Sequence, residues 1–533
     1  MSKLFERLLK VRGFGPEFLR PRYEDLAKPF DLPGVDEAVK RLASASSNSE
    51  KVLIYGDYDV DGVTASTVMA EALEMAGVQV VKIMLPDRFA DGYGMSPRLV
   101  KEAERLGVSL VVTVDCGSHN HEIVDELSKL GIDTIVTDHH EVGESLPAAV
   151  AVVNPKRRDF DGGDLRELCG AGVAFKVAQA LVLQGLIPAG QEKWLLDLVV
   201  LGTICDNMAL TGENRILSYY GMKVLSKTRR AGLIELMRRA GVKNLNTETI
   251  GFILGPRLNA AGRLDTAELS LNLLRAKSQA EAAELALKLE ELNKKRKIEQ
   301  FSATKEISER GVGAEPVIVE AGKWHEGIVG IVAGRLVEEY RRPAFVLTEV
   351  SEGVYKGSGR SFGEFNLAEA LGAVTDTIIG GGGHAGACGL RVAAEQMDDF
   401  REAVNEYYRS LKLVNQERFL AVTEDLAVSE LGEFSLEFME ELAELEPFGA
   451  GNEEPIFKLV GCEILDVRKM GAEQNHLRVD MKDANGRTLK LVAFFAPEEW
   501  LTLSVNDKIE PLIKVNINEF NGVRSVEGRL VGL

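Results

Sequence analysis

The sequence predicts an α/β protein built from a parallel-sheet domain, a long connecting helix, a smaller α/β domain and a C-terminal antiparallel β-barrel. Three observations lead to this fold class. Apolar strand-like runs alternate with helical stretches from about residue 51, a long segment after residue 277 has helical periodicity, and short strands with Asn-Gly turns follow residue 412. The length of 533 residues suggests about three or four domains at roughly 100–200 residues each.

The first domain is predicted from near-continuous apolar runs, which are typical of strands buried on both faces. Helical stretches separate these runs and end at Gly77, Gly107 and Gly131, because glycine favours a helix C-terminus. This alternation of strand and helix indicates a parallel sheet covered by helices. The predicted strands are Val52–Tyr55, Val78–Leu85, Leu110–Val114, Ile132–Thr137 and Ala149–Val153.

The connecting helix is predicted over Ser278–Arg310, where Ser278 and Glu281 form a capping box ahead of a leucine stripe at helical spacing. A second α/β region runs from Glu315 to about Leu411 and contains the glycine-rich stretch Gly380–Gly389. The strand-like segments that predict the C-terminal barrel are Phe457–Met470, His476–Met481, Thr488–Phe495 and Lys508–Ile517.

Composition limits the class of function. Asp and Glu total 82 against 63 Lys and Arg, a net charge of −19, so we expect no indiscriminate coating of nucleic acid or anionic membrane. No apolar run approaches the roughly 20 residues of a membrane span. The five cysteines are odd in number and form no C-x-x-C pair, which favours reduced thiols. We therefore expect a soluble, cytoplasmic protein with no membrane partner, whose nucleic-acid site would be a local basic groove.

Three carboxylates follow the first predicted strand and precede a helix: Asp57, Asp59 and Asp61. In open α/β sheets, ligands bind at this carboxyl edge of the strands. Clustered carboxylates repel one another, and divalent Mg²⁺ or Mn²⁺ relieves that repulsion because oxygen ligands suit both ions. A single Asp N-cap would explain one of these carboxylates but not all of them.

Later strand ends add to the same edge. Asp115 follows the third predicted strand, Asp138, His139 and His140 follow the fourth, and Asp206 is a further candidate that could instead cap a turn. A lone Asp is more often a helix cap than a ligand, but agreement between three strand ends is not expected by chance. Carboxylates with one or two imidazoles are the ligand mix of a two-metal site that assists phosphoryl transfer.

These residues resemble a known family. The segment Asp57–Gly62 (DYDVDG), Asp115 and the triplet from Asp138 to His140 resemble the DHH phosphoesterase superfamily, and within it the bacterial single-strand-specific 5′→3′ exonucleases. Further motifs in the family's order are Gly170–Lys176, Gly202–Leu217, Gly255–Leu264, Trp324–Leu336, Gly357–Ser361, Gly382–Gly389 and Glu446–Asn452. The resemblance therefore covers nearly the whole chain.

The resemblance implies two Mn²⁺ or Mg²⁺ ions as cofactors and a role for each of several residues. The implied metal ligands are Asp59, Asp61, Asp115, His139 and Asp206. The implied catalytic residues, beside the metals and the scissile phosphate, are Asp57, His140 and His384. The implied contacts to the 5′-terminal phosphate are Arg88, Ser358 and Arg360, since arginine offers phosphate a bidentate fork.

The resemblance also implies a domain division. We expect an N-terminal segment at 1–50, a DHH catalytic domain at 51–277, a connecting helix at 278–310, a DHH-associated domain at 311–411, and a linker with an OB-like nucleic-acid-binding domain at 412–533. In OB folds a basic and aromatic groove tracks a single strand. Phe494 and Phe495 cannot both face such a groove if their strand alternates regularly, so no stacking residue is assigned.

The implied function is metal-dependent degradation of single-stranded DNA from the 5′ end to mononucleotides, in DNA repair and recombination. The implied partners are single-stranded DNA, a single-strand-binding protein and a helicase, and the implied state is a monomer. Two alternatives remain open: a DHH phosphodiesterase for short oligonucleotides or cyclic dinucleotides, and a non-catalytic single-strand-binding scaffold. The C-terminal domain disfavours the first, and the complete set of Asp and His ligands disfavours the second.

Overall fold

A computed structural model describes residues 1–92, 94–413, 419 and 422–533. Parts of the predicted linker after residue 412, and Tyr93 of the loop that carries Arg88, lie outside these residues. Helices α1 to α17 are Lys3–Arg12, Pro16–Leu19, Val35–Ser47, Val60–Met75, Pro97–Leu106, His121–Lys129, Gly170–Leu183, Leu196–Cys205, Gly212–Leu225, Ala231–Arg239, Gly255–Leu264, Glu268–Leu274, Gln279–Arg310, Val329–Tyr340, Leu367–Ala373, Met397–Ser410 and Leu436–Leu442.

Strands β1 to β17 are Lys51–Tyr55, Gln79–Met84, Leu110–Val114, Asp133–Thr137, Ala151–Val153, Ile318–Gly322, Ala344–Ser351, Val354–Arg360, Gly380–Gly383, Ala387–Ala393, Leu426–Val428, Phe457–Leu459, Glu463–Met470, His476–Lys482, Thr488–Ala493, Leu512–Phe520 and Val523–Gly532. They form three sheets, one for each predicted strand-bearing region.

The first sheet is parallel throughout, in the order β2-β1-β3-β4-β5. Both of its faces are covered, because Val52 and Ile54 of β1 pack with helices α4, α7 and α8, while Leu53 and Tyr55 pack with α5 and α6. The predicted doubly covered sheet is confirmed. Its carboxyl edge gathers the ends of β1, β3 and β4, where the acidic and histidine residues begin.

Helix α13 joins the first two strand-bearing regions, as predicted. Ser278 caps it by accepting a hydrogen bond from Glu281 N at 3.2 Å. Ala282 and Leu289 in its first half pack into the core of the first domain, whereas Ala303 and Ile307 in its second half pack against the second sheet. That sheet has the order β6-β7-β8-β10-β9, and its glycine-rich stretch forms an antiparallel hairpin of β9 and β10.

The third sheet has the order β11-β12-β16-β17-β15-β14-β13 and forms a curled half-barrel of OB type. The OB-like fold is confirmed, but the sheet is mixed, because β11 pairs with β12 and β15 pairs with β17 in parallel. The predicted strand Phe457–Met470 is two strands, since Gly461 adopts φ 68° between them. The last strand, β17, was not predicted.

Residues 1–50 divide between two domains. Leu4, Phe5 and Leu8 of α1 are buried in the core of the C-terminal domain, and Ser2 N donates to Glu441 Oε1 at 2.8 Å. Helix α3 instead packs against the first sheet. The N-terminal segment therefore links the first domain to the last.

A buried arginine makes a second link between those domains. Arg215 of α9 is 2% exposed, and its guanidinium stacks on Phe18 at 4.4 Å. Its donors reach backbone carbonyls of Phe18 (3.3 Å), Glu444 (3.0 Å), Leu445 (2.9 Å) and Pro447 (3.4 Å). Because burial removes water from this cation, the pKa of Arg215 falls to about 10.

Within the described ranges, no helix combines the length and apolar character that crossing a membrane requires.

Candidate metal centre and arginine cluster

The turn after β1 sets three carboxylates at the edge of the first sheet. Asp59 caps α4 by accepting a hydrogen bond from Gly62 N at 3.0 Å, as the sequence position of an Asp before a helix favours. Asp61, in the first turn of α4, is buried and accepts from Gly170 N at 2.6 Å and Ala171 N at 2.9 Å. The N-terminus of α7 thus fixes the orientation of Asp61.

Glycine is required where the helices approach these carboxylates. A Cβ on Gly170 would lie 2.6 Å from Asp115 Cβ and 2.7 Å from its Oδ1, and a Cβ on Gly202 would lie 2.4 Å from Asp61 Oδ1. Any side chain at either position would displace a carboxylate.

Asp115 and His139 lie at the centre of the carboxyl edge of the first sheet. Asp115 follows β3 with φ 58°, a left-handed conformation that is uncommon for a residue other than glycine. His139 Nε2 lies 3.0 Å from Asp115 Oδ1, 3.6 Å from Asp206 Oδ2 and 3.7 Å from Asp61 Oδ2. Asp206 reaches this point from the C-terminus of α8. One imidazole nitrogen therefore meets carboxylates from three other segments.

Asp138 fixes the positions of His139 and His140 through hydrogen bonds. Its Oδ1 accepts from the backbone amides of His139 (2.8 Å) and His140 (3.1 Å) and lies 2.8 Å from His140 Nδ1. Its Oδ2 accepts from Ser118 N at 3.0 Å. Although burial alone would lower it, the bond to Asp138 and its charge raise the pKa of His140 to about 9. The hydrogen bond to Asp138 therefore favours the protonated form of His140.

The donor set fits two divalent cations. Three groups offer ligand atoms within 4.8 Å of one another: Asp115 with His139 and His140, Asp61 with His139 and Asp206, and Asp57 with Asp59 and Asp115. Burial and neighbouring carboxylates raise the pKa values of Asp57 and of Asp206 to about 8, so a bound cation would favour their ionised forms. Asp57 Oδ1 and Asp115 Oδ1 are buried and accept no hydrogen bond. Carboxylate and imidazole ligands suit Mn²⁺ and Mg²⁺.

An arginine cluster adjoins these carboxylates. Burial and then the charges of Arg88, Arg296 and Arg360 lower the pKa of Arg263 to about 9, while Asp59 opposes this shift. The guanidinium of Arg88 lies 5.0 Å over the ring of Tyr58, which places it beside the Asp57–Asp59 turn. A bound anion would offset the repulsion between these positive charges, and the arginine guanidinium is well suited to binding phosphate.

Ser358 and Arg360 lie together on β8 at the first turn of α14. A Cβ on Gly330 would be 3.2 Å from Ser358 Oγ and 3.0 Å from Arg360 Nη2. The structure thus brings Arg88 and Arg360 into one electrostatic cluster and puts Ser358 next to Arg360.

His384 is placed differently. It is exposed in the turn between β9 and β10, where its backbone amide donates to Ala387 O at 2.8 Å. Among the described residues, it belongs to none of the candidate metal-binding groups.

Two residues of the arginine cluster, Arg263 and Arg296, were not predicted from the sequence. Arg263 stands inside the quoted motif Gly255–Leu264, and Arg296 inside a lysine-rich helical run that reads as a solvated face.

Comparison with known proteins agrees with this geometry. The DHH family N-terminal domain matches residues 51–203, the DHHA1 domain matches 314–410, and the RecJ OB domain matches 426–531. The fold and the carboxylate–histidine edge thus define a DHH-family protein with a DHHA1 domain.

Relatives identify the family more closely. The single-stranded-DNA-specific exonuclease RecJ of Escherichia coli is 35% identical over 99% of this chain and 95% of its own length. That of Haemophilus influenzae is 33% identical over 98% and 95%, and that of Bacillus subtilis is 36% identical over 98% of this chain but 66% of its own length. The crystal structure of RecJ from Thermus thermophilus in complex with Mn²⁺ matches with a TM-score of 0.84 at 29% identity, covering 100% of this chain and 76% of that one. The chain belongs to the RecJ family.

Proposed function

We propose that this protein is a metal-dependent exonuclease that degrades single-stranded DNA from the 5′ end to mononucleotides. One observation supports the proposal: three groups of candidate Asp and His ligands converge at one edge of the sheet, beside a cluster of arginines. The first part fits hydrolysis of a phosphodiester, and the second fits recognition of a terminal phosphate.

The metal ions would be Mn²⁺ or Mg²⁺, both of which appear in RecJ structures from Thermus thermophilus. When bound, they supply an activated water and neutralise charge on the phosphoryl oxygens. The residues that would hold them are Asp59, Asp61, Asp115, His139 and Asp206. Asp57 also lies in a candidate ligand group with Asp59 and Asp115, and His140 lies in one with Asp115 and His139, so either residue would be able to serve as a further ligand.

The chain's own groups orient the substrate. Arg88, Ser358 and Arg360 would hold the 5′-phosphate, which fixes the end of the strand and hence the direction of digestion. His140, oriented by its hydrogen bond to Asp138, would donate a hydrogen bond to a phosphoryl oxygen as charge develops there. His384, on the exposed hairpin turn of the second sheet, would contact the substrate phosphate or sugar.

The domain division at 1–50, 51–277, 278–310, 311–411 and 412–533 belongs to this proposal, with the last unit binding nucleic acid. The proposed setting is DNA repair and recombination in the cytoplasm, by a monomer that works with a single-strand-binding protein and a helicase. Support comes from RecJ family membership.

The decisive experiment is digestion of a long single strand labelled at the 5′ or the 3′ end, with Mn²⁺ or with EDTA. A blunt duplex and a strand without a 5′-phosphate run alongside. We expect metal-dependent release of mononucleotides from the 5′ end, with the duplex spared. Survival of the long strand with cleavage of dinucleotides would instead establish a small-substrate phosphodiesterase. Binding without any cleavage would establish a scaffold.

A matched pair of variants tests the metal centre. Asp115→Asn should abolish hydrolysis, because it removes a charged ligand shared by two candidate groups. Asp125→Asn, an exposed position on α6, is the control and should leave hydrolysis unchanged. Unimpaired turnover in Asp115→Asn would overturn the ligand assignment.

A further inference from the structure

A cleft of about 1340 Å³ is lined by residues of both the first and the C-terminal domain. Arg263 and Arg296 line it on the side of the arginine cluster. Arg263 thus connects the cleft electrostatically with Arg88 and Arg360 of the proposed phosphate pocket, and a strand held there by its 5′ end would have this space for the nucleotides that follow.

Two exposed aromatic rings line the same cleft. Phe252, in the π-helical turn Thr249–Leu254 ahead of α11, is 80% exposed, and Phe494, just after β15, is 63% exposed. A phenylalanine normally buries most of its ring, so two such rings exposed in one cleft indicate a ligand with flat apolar faces.

The ring of Phe494 is held in place by its neighbours. Strand β15 ends at Ala493, and Phe495 adopts φ 51°, which breaks the alternation of a regular strand. Both phenylalanines can therefore contact His476, with ring centroids at 5.6 Å and 4.7 Å, and Phe495 N donates to His476 Nδ1 at 2.9 Å. Phe494 lines the cleft and Phe495 does not, in keeping with the expectation that both cannot face one groove, and the contact with His476 restricts the ring of Phe494 before any ligand binds.

The two sides of the cleft differ in charge. Arg296 donates to the amide oxygens of Asn293 and Gln300, which leave its positive charge uncompensated. On the C-terminal side, Lys514 and Arg529 both pair with Glu454, at 3.3 Å and 3.2 Å. Phosphates are therefore attracted to the first-domain side. On the C-terminal side, glutamates outnumber Lys514 and Arg529, and that side offers the ring of Phe494 rather than positive charge.

We propose that Phe252 and Phe494 stack on bases of the single strand as it runs through this cleft from the phosphate pocket. The inference rests on the proposed function and names the residues that contact bases within it. Stacking on a ring tolerates every base, so these contacts provide affinity without sequence preference.

The test measures binding of a fluorescent oligothymidylate by anisotropy in EDTA, so that no cleavage occurs. Phe252→Ala and Phe494→Ala should each weaken binding roughly 5- to 100-fold, the range for loss of one base–aromatic stack. Phe520→Ala is the matched control, because Phe520 is 71% exposed on β16 but outside the residues that line the cleft. The salt dependence of binding should stay unchanged in both cleft variants and become shallower in Arg296→Met.

A strand containing abasic sites supplies an independent readout. It should bind the unaltered protein more weakly than the intact strand does, and the difference should vanish in the Phe252→Ala/Phe494→Ala double variant. Equal affinity of the double variant and the unaltered protein for the intact strand overturns the inference and assigns the cleft to another ligand, such as a peptide.

Release of mononucleotides from a 5′-labelled long single strand with Mn²⁺ separates this inference from the proposed function. A protein that binds strands through the two rings but never hydrolyses keeps the inference and refutes the exonuclease. A protein that hydrolyses normally while ignoring both substitutions keeps the exonuclease and refutes the stacking.

Discussion

Replacing Gly170 by alanine should damage the metal centre without damaging the fold. The new Cβ would lie 2.6 Å from Asp115 Cβ and 2.7 Å from Asp115 Oδ1, whereas ordinary contacts begin at 3.4 Å. Relief requires Asp115 or the start of α7 to move by about 0.8 Å, from 3.4 − 2.6. A displacement of about 1 Å at a reacting centre costs on the order of 100-fold in rate. We expect a loss of roughly that size in kcat.

The control lies two residues along the same helix. A Cβ on Gly172 would come nearest to Leu168 Cδ2, at 3.1 Å, so the end of this side chain needs to shift by only about 0.3 Å. Gly172→Ala should therefore keep the rate and match or exceed the unaltered protein in melting temperature, because alanine favours helix. Steady-state hydrolysis of a labelled single strand with Mn²⁺, together with thermal unfolding, measures both variants. Full activity in Gly170→Ala, or an equal loss in Gly172→Ala, would refute the reasoning.

Further substitutions test the remaining interactions. Arg215→Met should lower the free energy of unfolding by about 2–4 kcal/mol, because buried carbonyls lose a charged donor; a chemical-denaturation shift under 1 kcal/mol would contradict this. Arg263→Met should reduce the rate preference for 5′-phosphorylated over 5′-hydroxyl strands by about tenfold, and an unchanged ratio would exclude it from the pocket. Hydrogen bonds from Arg41 and Ser109 lower the pKa of Glu50 to about 2, so ionised Glu50 stabilises the fold above its ordinary pKa and this stabilisation is lost as the pH falls toward 2. Glu50→Gln should lower the free energy of unfolding by about 1–3 kcal/mol at pH 7. A loss that persists at pH 2 would argue against this cause. Mn²⁺ at 100 times its dissociation constant should raise the free energy of unfolding by about 2.7 kcal/mol, and this gain should fall sharply in Asp115→Asn.

The sequence predicted the parallel sheet and the edge that carries the carboxylates, because both depend on local patterns. Apolar runs mark buried strands, and the residue after each run must lie at the carboxyl edge. The packing of α1 on the last domain could not be predicted in this way, because Ser2 and Glu441 carry no local sign of their contact.

The missed parts of the site have equally specific causes. Arg263 and Arg296 stand on different helices, and only tertiary packing brings their charges together. Alternation predicted that Phe494 and Phe495 would not both face the groove, and only Phe494 lines the cleft, but the pattern did not tell which of the two it would be because the strand ends at Ala493. His384 sits in a motif whose glycines read as a loop, yet those glycines form a hairpin that leaves its side chain exposed.

The burial of α1 in the C-terminal domain has a consequence for synthesis on the ribosome. Helix α1 leaves the ribosome early, but its binding site includes Phe438 and Leu442 of α17, which are translated more than 400 residues later. At about 5–20 residues per second, Leu4, Phe5 and Leu8 wait some 20 to 90 s before they can be covered. During that interval these three apolar side chains have no surface of the C-terminal domain to cover them and are accessible to a chaperone. Synthesis of the C-terminal domain then supplies the core that buries them.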